Sequence, residues 1–195
     1  MSWLSPPFDR ELFALALRKP FGAARVLPSI ILPGAVDPMS AQKLRALAEP
    51  HLRPFELADQ GRYSFDDKVP DGELLKELTI FAQLVTDRPL RVAHACTLLF
   101  RKGDYTLRLE DWRVRRPQES LWYELNLDLS PSPCDDAQTV FSISPSDHVL
   151  LQPDPGQLSL VQRTQNTTRF THYLTHRMRK RSLVQVRLAL VPAVT

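Results

Sequence analysis

The second half of the chain alternates apolar and polar side chains with a period of two, which is typical of strands. In the clearest segment, 121–129, leucine or tyrosine occupies every odd position, and tryptophan or a polar residue every even one. This period replaces a helical one after Pro89. We predict eight short strands, at 91–100, 104–112, 121–129, 138–143, 148–151, 157–163, 169–175 and 182–191.

The first half of the chain carries the spacing and capping signals of helices. Residues 11–18 predict a short apolar helix that stops at Pro20. The Asp-Pro pair at 37–38 predicts a second helix, because aspartate caps a helix and proline suits its first position. A third helix is predicted at about 72–86, with Asp71 as its cap.

The order of these elements indicates the fold class. Helices followed by regularly spaced short strands predict an α+β protein, with a jelly roll (a double-stranded β-helix) and N-terminal helices packed on one sheet. At 195 residues we expect a single domain over 1–195, with a mainly helical part at 1–89 and a jelly-roll core at 90–195.

Composition narrows the functional classes only slightly. Apolar residues make up 43% and charged residues 24%, which excludes wholesale disorder. The net charge of +3 permits an acidic partner without requiring one. Cys96 and Cys134 show no metal-ligand spacing, and no stretch approaches the ~20 apolar residues of a membrane span. We therefore expect ordinary thiols, a cytoplasmic location and no membrane contact.

Four segments, taken in order, resemble one enzyme family. Residues 102–111 (Lys-Gly-Asp-Tyr-Thr-Leu-Arg-Leu-Glu-Asp) resemble the first metal-binding strand of the prolyl-hydroxylase-like Fe(II)/2-oxoglutarate oxygenases, where a Gly-Asp-Tyr turn leads to His-x-Asp. Residues 59–63 are similar to that family's N-terminal region. Residues 149–161 are similar to the proline-bearing strand pair before its distal histidine, and residues 171–190 to its distal-histidine and 2-oxoglutarate-anchoring strands. The resemblance implies the double-stranded β-helix, Fe(II) and 2-oxoglutarate as cofactors, and hydroxylation as the ancestral chemistry.

The resemblance implies metal ligands at Asp111 and His172, and it puts Leu109 at the family's first histidine. Leucine cannot bind a metal, and a facial iron site needs two histidines and one carboxylate. Because side chains two apart share a face, we expect Tyr105, Leu107, Leu109 and Asp111 to point into the roll, with Tyr105 on the wall of the cosubstrate site.

The second half of the implied site lies on the last two predicted strands. His172 shares a face with Phe170 and Leu174, so we expect it to point inward. Lys180 shares a face with Val184 and Val186 of the last strand, which we expect to point inward. Arg181, in contrast, is the residue type that binds a carboxylate in a bidentate manner. Either could anchor 2-oxoglutarate, and the sequence does not choose between them.

Each of these residues also has an ordinary structural interpretation. Asp111 could be a carboxylate paired with a neighbouring arginine, and His172 could be a hydrogen-bonded core histidine. His94 is a conceivable third ligand, although local packing is commoner for a histidine on a strand. The basic run 176–181 could grip an anion or a nucleic-acid backbone, but it also fits a solvated loop.

Three functions follow from these alternatives. The first is a pseudoenzyme or binding protein with an incomplete metal triad, whose partner is a small anionic ligand or a peptide. The second is an active 2-oxoglutarate-dependent hydroxylase with altered metal ligation. The third is a nucleic-acid or anion-binding module that uses the basic run 176–181. No catalytic residue is assigned, since the triad is incomplete.

Overall fold

A computed structural model describes residues 2–23, 27–58, 61–107, 117–134, 137–172, 174 and 182–193. The helices are α1 (Glu11–Ala16), α2 (Arg18–Gly22), α3 (Pro38–Ala48) and α4 (Gly72–Thr86), with a 3₁₀ turn at Glu49–His51. The strands are β1 (Ser29–Leu32), β2 (Arg53–Leu57), β3 (Gly61–Asp66), β4 (Leu90–Phe100), β5 (Tyr105–Thr106), β6 (Leu121–Asp128), β7 (Thr139–Ser142), β8 (His148–Leu151), β9 (Leu158–Thr164), β10 (Thr168–Thr171) and β11 (Leu183–Pro192).

Aspartate caps begin the two longer helices, as the sequence predicts. The Asp37 side chain accepts hydrogen bonds from the backbone N–H groups of Met39 and Ser40, at 2.9 and 3.0 Å. The Asp71 side chain does the same for the first turn of α4. Each cap satisfies N–H groups that have no partner within the helix.

The predicted end of the first helix is wrong. The helix breaks at Leu17 instead of Pro20, and a second short helix, α2, contains Pro20 in its first turn. Proline is tolerated there because first-turn N–H groups have no acceptor within the helix.

Two antiparallel sheets make up the β-structure. The larger sheet has the strand order β1-β9-β6-β11-β4-β3-β2, with β5 paired to β3, and the smaller sheet has the order β10-β7-β8. All eight strands predicted after Pro89 have a counterpart, although β5 covers only two described residues of the predicted 104–112. Strands β1, β2 and β3 were not predicted. β2 is mostly exposed and contains a proline, so it carries no alternation signal.

The helices pack on one face of the larger sheet and form the main core. Leu74, Leu78 and Phe81 of α4 are buried in one cluster with Leu125 and Leu127 of β6. This burial fixes the phase of the central strands, since a shift of one residue would turn every leucine of β6 away from the helices. Within the described part of the chain, no helix has the length and hydropathy to cross a membrane.

Candidate functional site in the roll interior

The face of the larger sheet that points away from the helices faces the smaller sheet, and it carries buried polar side chains on β6, β9 and β11. We call the space between them the roll interior. The Arg163 guanidinium lies over the rings of Trp122 on β6 and Phe141 on β7, at 5.1 and 5.4 Å, and so spans the two sheets. The buried polar side chains of these inner faces are Glu124, Asn126, Asp128, Ser159, Arg163, Gln185, Arg187, Thr139, Arg169 and Thr171.

Strand register within the larger sheet brings two arginines next to Glu124. β6 lies between β9 and β11, and Glu124 is directly opposite Val161 on one side and Ala189 on the other. Arg163 lies opposite Trp122, the inward residue before Glu124 on β6. Arg187 lies opposite Asn126, the inward residue after it. Such diagonal neighbours are about 7–8 Å apart, within the reach of an arginine side chain.

The resulting ion-pair cluster is deeply buried. Arg163 Nη1 donates a hydrogen bond to Glu124 Oε2, and Arg169 Nε lies 2.9 Å from Glu124 Oε1. Arg187 Nε lies 3.8 Å from the same Oε1. Glu124 and Arg163 are 1% exposed and Arg169 is 0% exposed. We refer to these four residues as the Glu124 cluster.

Charge compensation keeps Glu124 ionised. Burial alone would raise the pKa of this carboxyl, because a low-dielectric interior disfavours its charged form. The attraction of Arg187, Arg169 and Arg163 outweighs burial and lowers the pKa of Glu124 to about 2. The roll interior therefore holds a permanent anion that is bound by guanidinium groups from both sheets.

A second polar group lies next to the cluster. Burial raises the pKa of Asp128 to about 6, although its Oδ1 accepts a hydrogen bond from Ser130 N at 2.7 Å. Its cross-strand partner is Gln185. Asp128 Oδ2, Gln185 Oε1 and both polar atoms of the Asn126 amide have no hydrogen-bond partner among the described residues.

Apolar side chains fill the other end of the roll interior. Phe100, Leu98 and Leu183 pack there with Tyr63, and the two cysteines belong to the same cluster. Cys96 and Cys134 are both buried thiols, in agreement with the sequence analysis. This end of the roll is thus packed as ordinary core.

The predicted inward phase at Tyr105 is wrong. Thr106 is the buried residue of β5, and its Oγ1 accepts a hydrogen bond from Thr171 N at 2.7 Å. Tyr105 is half-buried beside its partner Arg62, and Leu107 is 39% exposed. Pairing with β3 accounts for this orientation, since Thr106 lies opposite Gly61 and Tyr105 lies opposite Arg62. Leu109 and Asp111 lie outside the described residues.

The predicted inward orientation of His172 is also wrong. Arg169 and Thr171 are the buried residues of β10 and its end, whereas His172 is exposed and stacks on Phe170 with ring centroids 5.2 Å apart. Arg169 is held inward by Glu124, so the next residues alternate outward and inward from that point. His172 lines a surface depression of about 300 Å³ on the outer face of the smaller sheet.

The remaining predicted site residues are not brought together in the described part of the chain. His94 is exposed on β4, next to a bulge in the pairing with β11. Lys180, Arg181 and the basic run 176–181 lie outside the described residues. Their assignments stay predictions.

The described donors do not fit an Fe(II) site. Within the described ranges, no group of three or more His, Cys, Asp or Glu side chains could hold a metal ion. The carboxylate of Glu124 is engaged by arginines, which carry the same sign of charge as a metal. A facial site needs three converging ligands, and His172 points away from the roll interior.

Sequence reasoning missed the Glu124 cluster, although a signal for it exists. Residues 183–191 read Leu-Val-Gln-Val-Arg-Leu-Ala-Leu-Val, in which Arg187 is the one charged residue and Gln185 the only other polar one. A charge in such a strand is expected to be paired, because an isolated buried charge is very costly. Glu124 lies at a polar position of the strongest alternating strand and is its natural counter-ion.

Comparison with known proteins identifies the fold. No family model and no curated protein sequence matches the chain. A prolyl-4-hydroxylase from Pseudomonas putida is 12% identical with a TM-score of 0.62, over 93% of this chain and 100% of that one. A Trichoplax adhaerens prolyl hydroxylase in complex with a hypoxia inducible factor peptide is 10% identical with a TM-score of 0.64, over 95% and 90%.

A viral collagen prolyl hydroxylase from Paramecium Bursaria Chlorella virus-1, in its 2-oxoglutarate complex, is 8% identical with a TM-score of 0.62, over 85% of this chain and 96% of that one. Sequence identities this low establish the fold alone. Two antiparallel sheets with helices on the larger one agree with that result and confirm the predicted fold class. The chain thus has the double-stranded β-helix of the prolyl-hydroxylase-like 2-oxoglutarate/Fe(II) oxygenases.

Proposed function

We propose that this chain is a divergent member of that superfamily which acts as a binding protein and does not carry out iron/2-oxoglutarate chemistry. The Glu124 cluster supports this proposal above all, because it fills part of the roll interior with an internal ion network. For the ligand we propose a peptide or a small anion. The Trichoplax neighbour binds a peptide and the viral neighbour binds 2-oxoglutarate.

Packing in the roll interior supports the loss of catalysis. Trp122, Arg163, Arg169 and Phe141 are among the largest fully buried side chains of the described residues. An oxygenase site needs open coordination positions for its cosubstrate and for O₂. Side chains of this size, held by ion pairs and ring contacts, occupy volume that such a site would require.

The orientation of side chains on β10, with Arg169 and Thr171 pointing inward, also supports the loss of catalysis. To turn His172 inward, the strand would have to shift by one residue, which would turn Arg169 and Thr171 outward. That shift would leave Glu124 without its 2.9 Å contact to Arg169. Loss of one partner from a buried ion pair costs about 3–5 kcal/mol, so the outward position of His172 is well determined.

The decisive experiment measures turnover and metal binding together. The purified chain is incubated with Fe(II), ascorbate, O₂ and 2-oxoglutarate, and succinate is quantified; Mn(II) binding is measured by calorimetry with and without 2-oxoglutarate. We expect succinate at the level of the enzyme-free control and no heat above dilution. The Pseudomonas putida hydroxylase serves as positive control. Succinate formation dependent on this chain would refute the proposal and favour an active hydroxylase with altered ligation.

A variant at the family's first ligand position sharpens this test. If His172 does not contribute a ligand, the Leu109→His variant should not acquire Mn(II) affinity, since at most two family ligands would then be available. Leu109→Gln is the matched control for a polar side chain at the same position. Micromolar Mn(II) binding by Leu109→His alone would show that a latent metal site survives.

A further inference from the structure

We infer that Arg163, Arg169 and Arg187 form an oxyanion-binding site that the chain fills with its own Glu124 carboxylate. This site deepens the proposed function. It rests on that function in one respect, namely that the intact roll binds no cosubstrate. Its ligand class is a small carboxylate, and its occupation by Glu124 explains why the ligand of the intact chain has to bind elsewhere.

Convergence of the three guanidinium groups is the first step. They come from three strands in two sheets, β9 and β11 of the larger sheet and β10 of the smaller one. All three approach the same carboxylate: Arg163 contacts Oε2, and Arg169 and Arg187 lie near Oε1. Charge-assisted contacts from planar guanidinium groups are the usual means by which proteins recognise carboxylates and phosphates.

Independent support for the arginines is the second step. Arg163 Nη2 donates to the Thr167 carbonyl at 3.1 Å, and its guanidinium lies over the Trp122 and Phe141 rings. These contacts do not involve Glu124, so they can hold Arg163 in place when the carboxylate is removed. Arg163 is therefore preorganised, which lowers the cost of ordering the site around an external ligand.

The part of the Glu124 side chain beyond Cβ has the size of a small carboxylate. Glu124→Ala keeps Cβ and removes four heavy atoms: one methylene carbon, the carboxyl carbon and its two oxygens. Acetate has the same four heavy atoms in the same arrangement. The Ala variant should thus contain a cavity of the shape and charge of acetate, whereas Glu124→Gln removes the charge and leaves no room.

The experiment measures rescue of stability by added anion. Thermal and urea unfolding of wild type, Glu124→Ala and Glu124→Gln are compared in sodium acetate and in sodium chloride at equal ionic strength and pH 7. Binding to the folded state alone raises the folding equilibrium constant by a factor of one plus the ligand concentration divided by Kd, about tenfold at ten times Kd. We expect that rise for Glu124→Ala only.

Several outcomes would overturn the inference. Equal stability of Glu124→Ala in acetate and chloride would do so, as would equal acetate stabilisation of Glu124→Gln, which would indicate a general salt effect. If Glu124→Ala is unfolded in chloride, it is refolded by dialysis into each salt, and the near-ultraviolet circular dichroism of its tryptophans is recorded. Failure of acetate to restore that signal contradicts the inference.

A double variant tests whether the arginines bind the anion. Addition of Arg169→Met to Glu124→Ala should abolish the acetate effect, because one converging guanidinium is lost. Persistence of the full effect in the double variant would place the anion elsewhere. Failure of the proposed function would appear separately, as succinate production by the wild-type chain.

Discussion

Replacement of Asp128 by asparagine should stabilise the protein at neutral pH. Asp128 is 3% exposed, and burial raises its pKa from 3.8 to about 6. Between these values the folded state binds more protons than the unfolded state, so stability falls as pH rises through this window. At 1.36 kcal/mol for each pH unit, the loss is about 3 kcal/mol above pH 6. Asparagine cannot ionise and avoids this loss.

The hydrogen-bonding environment favours the amide as well. The side-chain oxygen of asparagine can still accept from Ser130 N, as Asp128 Oδ1 does. Its new N–H₂ group is suited to the buried Gln185 Oε1 on the paired position of β11, an oxygen that lacks a hydrogen-bond partner among the described residues. The acceptor that is lost, Oδ2, has no hydrogen-bond partner among the described residues, and a donor is gained.

Urea unfolding of wild type and Asp128→Asn at a series of pH values tests this reasoning. The variant should be more stable by about 3 kcal/mol at pH 7.5 and by only about 1 kcal/mol at pH 4.5. In a chain of this length, 3 kcal/mol corresponds to about 6–12 °C in Tm. Asp9→Asn, at an exposed carboxyl, is the control and should show no such trend. A gap that does not change with pH would refute the argument.

Three further predictions concern the cluster, the outer face and a tight turn. Because the pKa of Glu124 is about 2 and its ordinary value is 4.5, wild type should lose about 3 kcal/mol as pH falls from 4.5 towards 2, a loss that urea titration should not find in Glu124→Gln. His172→Ala should change the free energy of unfolding by less than about 1 kcal/mol, since the ring is exposed; a loss above about 2 kcal/mol would contradict its outward position. Gly156→Ala should lower Tm more than Gly34→Ala: both glycines have positive φ, but an added Cβ at 156 would lie 2.1 Å from the Val36 carbonyl oxygen, whereas position 34 is open.

Much of the fold could be predicted because its elements carry local signals. The caps at Asp37 and Asp71 act through hydrogen bonds within four residues of each other, so the sequence contains both partners. The strand at 121–129 alternates because its two faces meet different environments. In contrast, β2 is an exposed edge strand that contains a proline. It is held by its pairing with β3, and no local sequence pattern indicates that pairing.

The candidate site could not be predicted in the same way, because its members are distant in the chain. Glu124 lies 39 residues from Arg163 and is linked to it only through the register of β6 and β9. The resemblance to the oxygenases predicts the fold correctly, but it directs attention to the family's ligand positions. Glu124 and Arg163 lie on β6 and β9, which carry none of those positions, so the resemblance does not predict the ion cluster.

The errors at Tyr105 and His172 share one cause, which is the assumption that apolar side chains mark the inside of the roll. In this protein β6 turns its leucines towards the helices and its charged residues, Glu124 and Asp128, towards the smaller sheet. On β10 the inward residue is an arginine, and the aromatic Phe170 is outside. The leucines of β6 orient that strand against the helices, whereas β10 is oriented by the pairing of its Arg169 with Glu124. The phase of the smaller sheet therefore follows from Glu124, and substitutions that remove its charge should loosen the contact between the sheets before they disturb the helical layer.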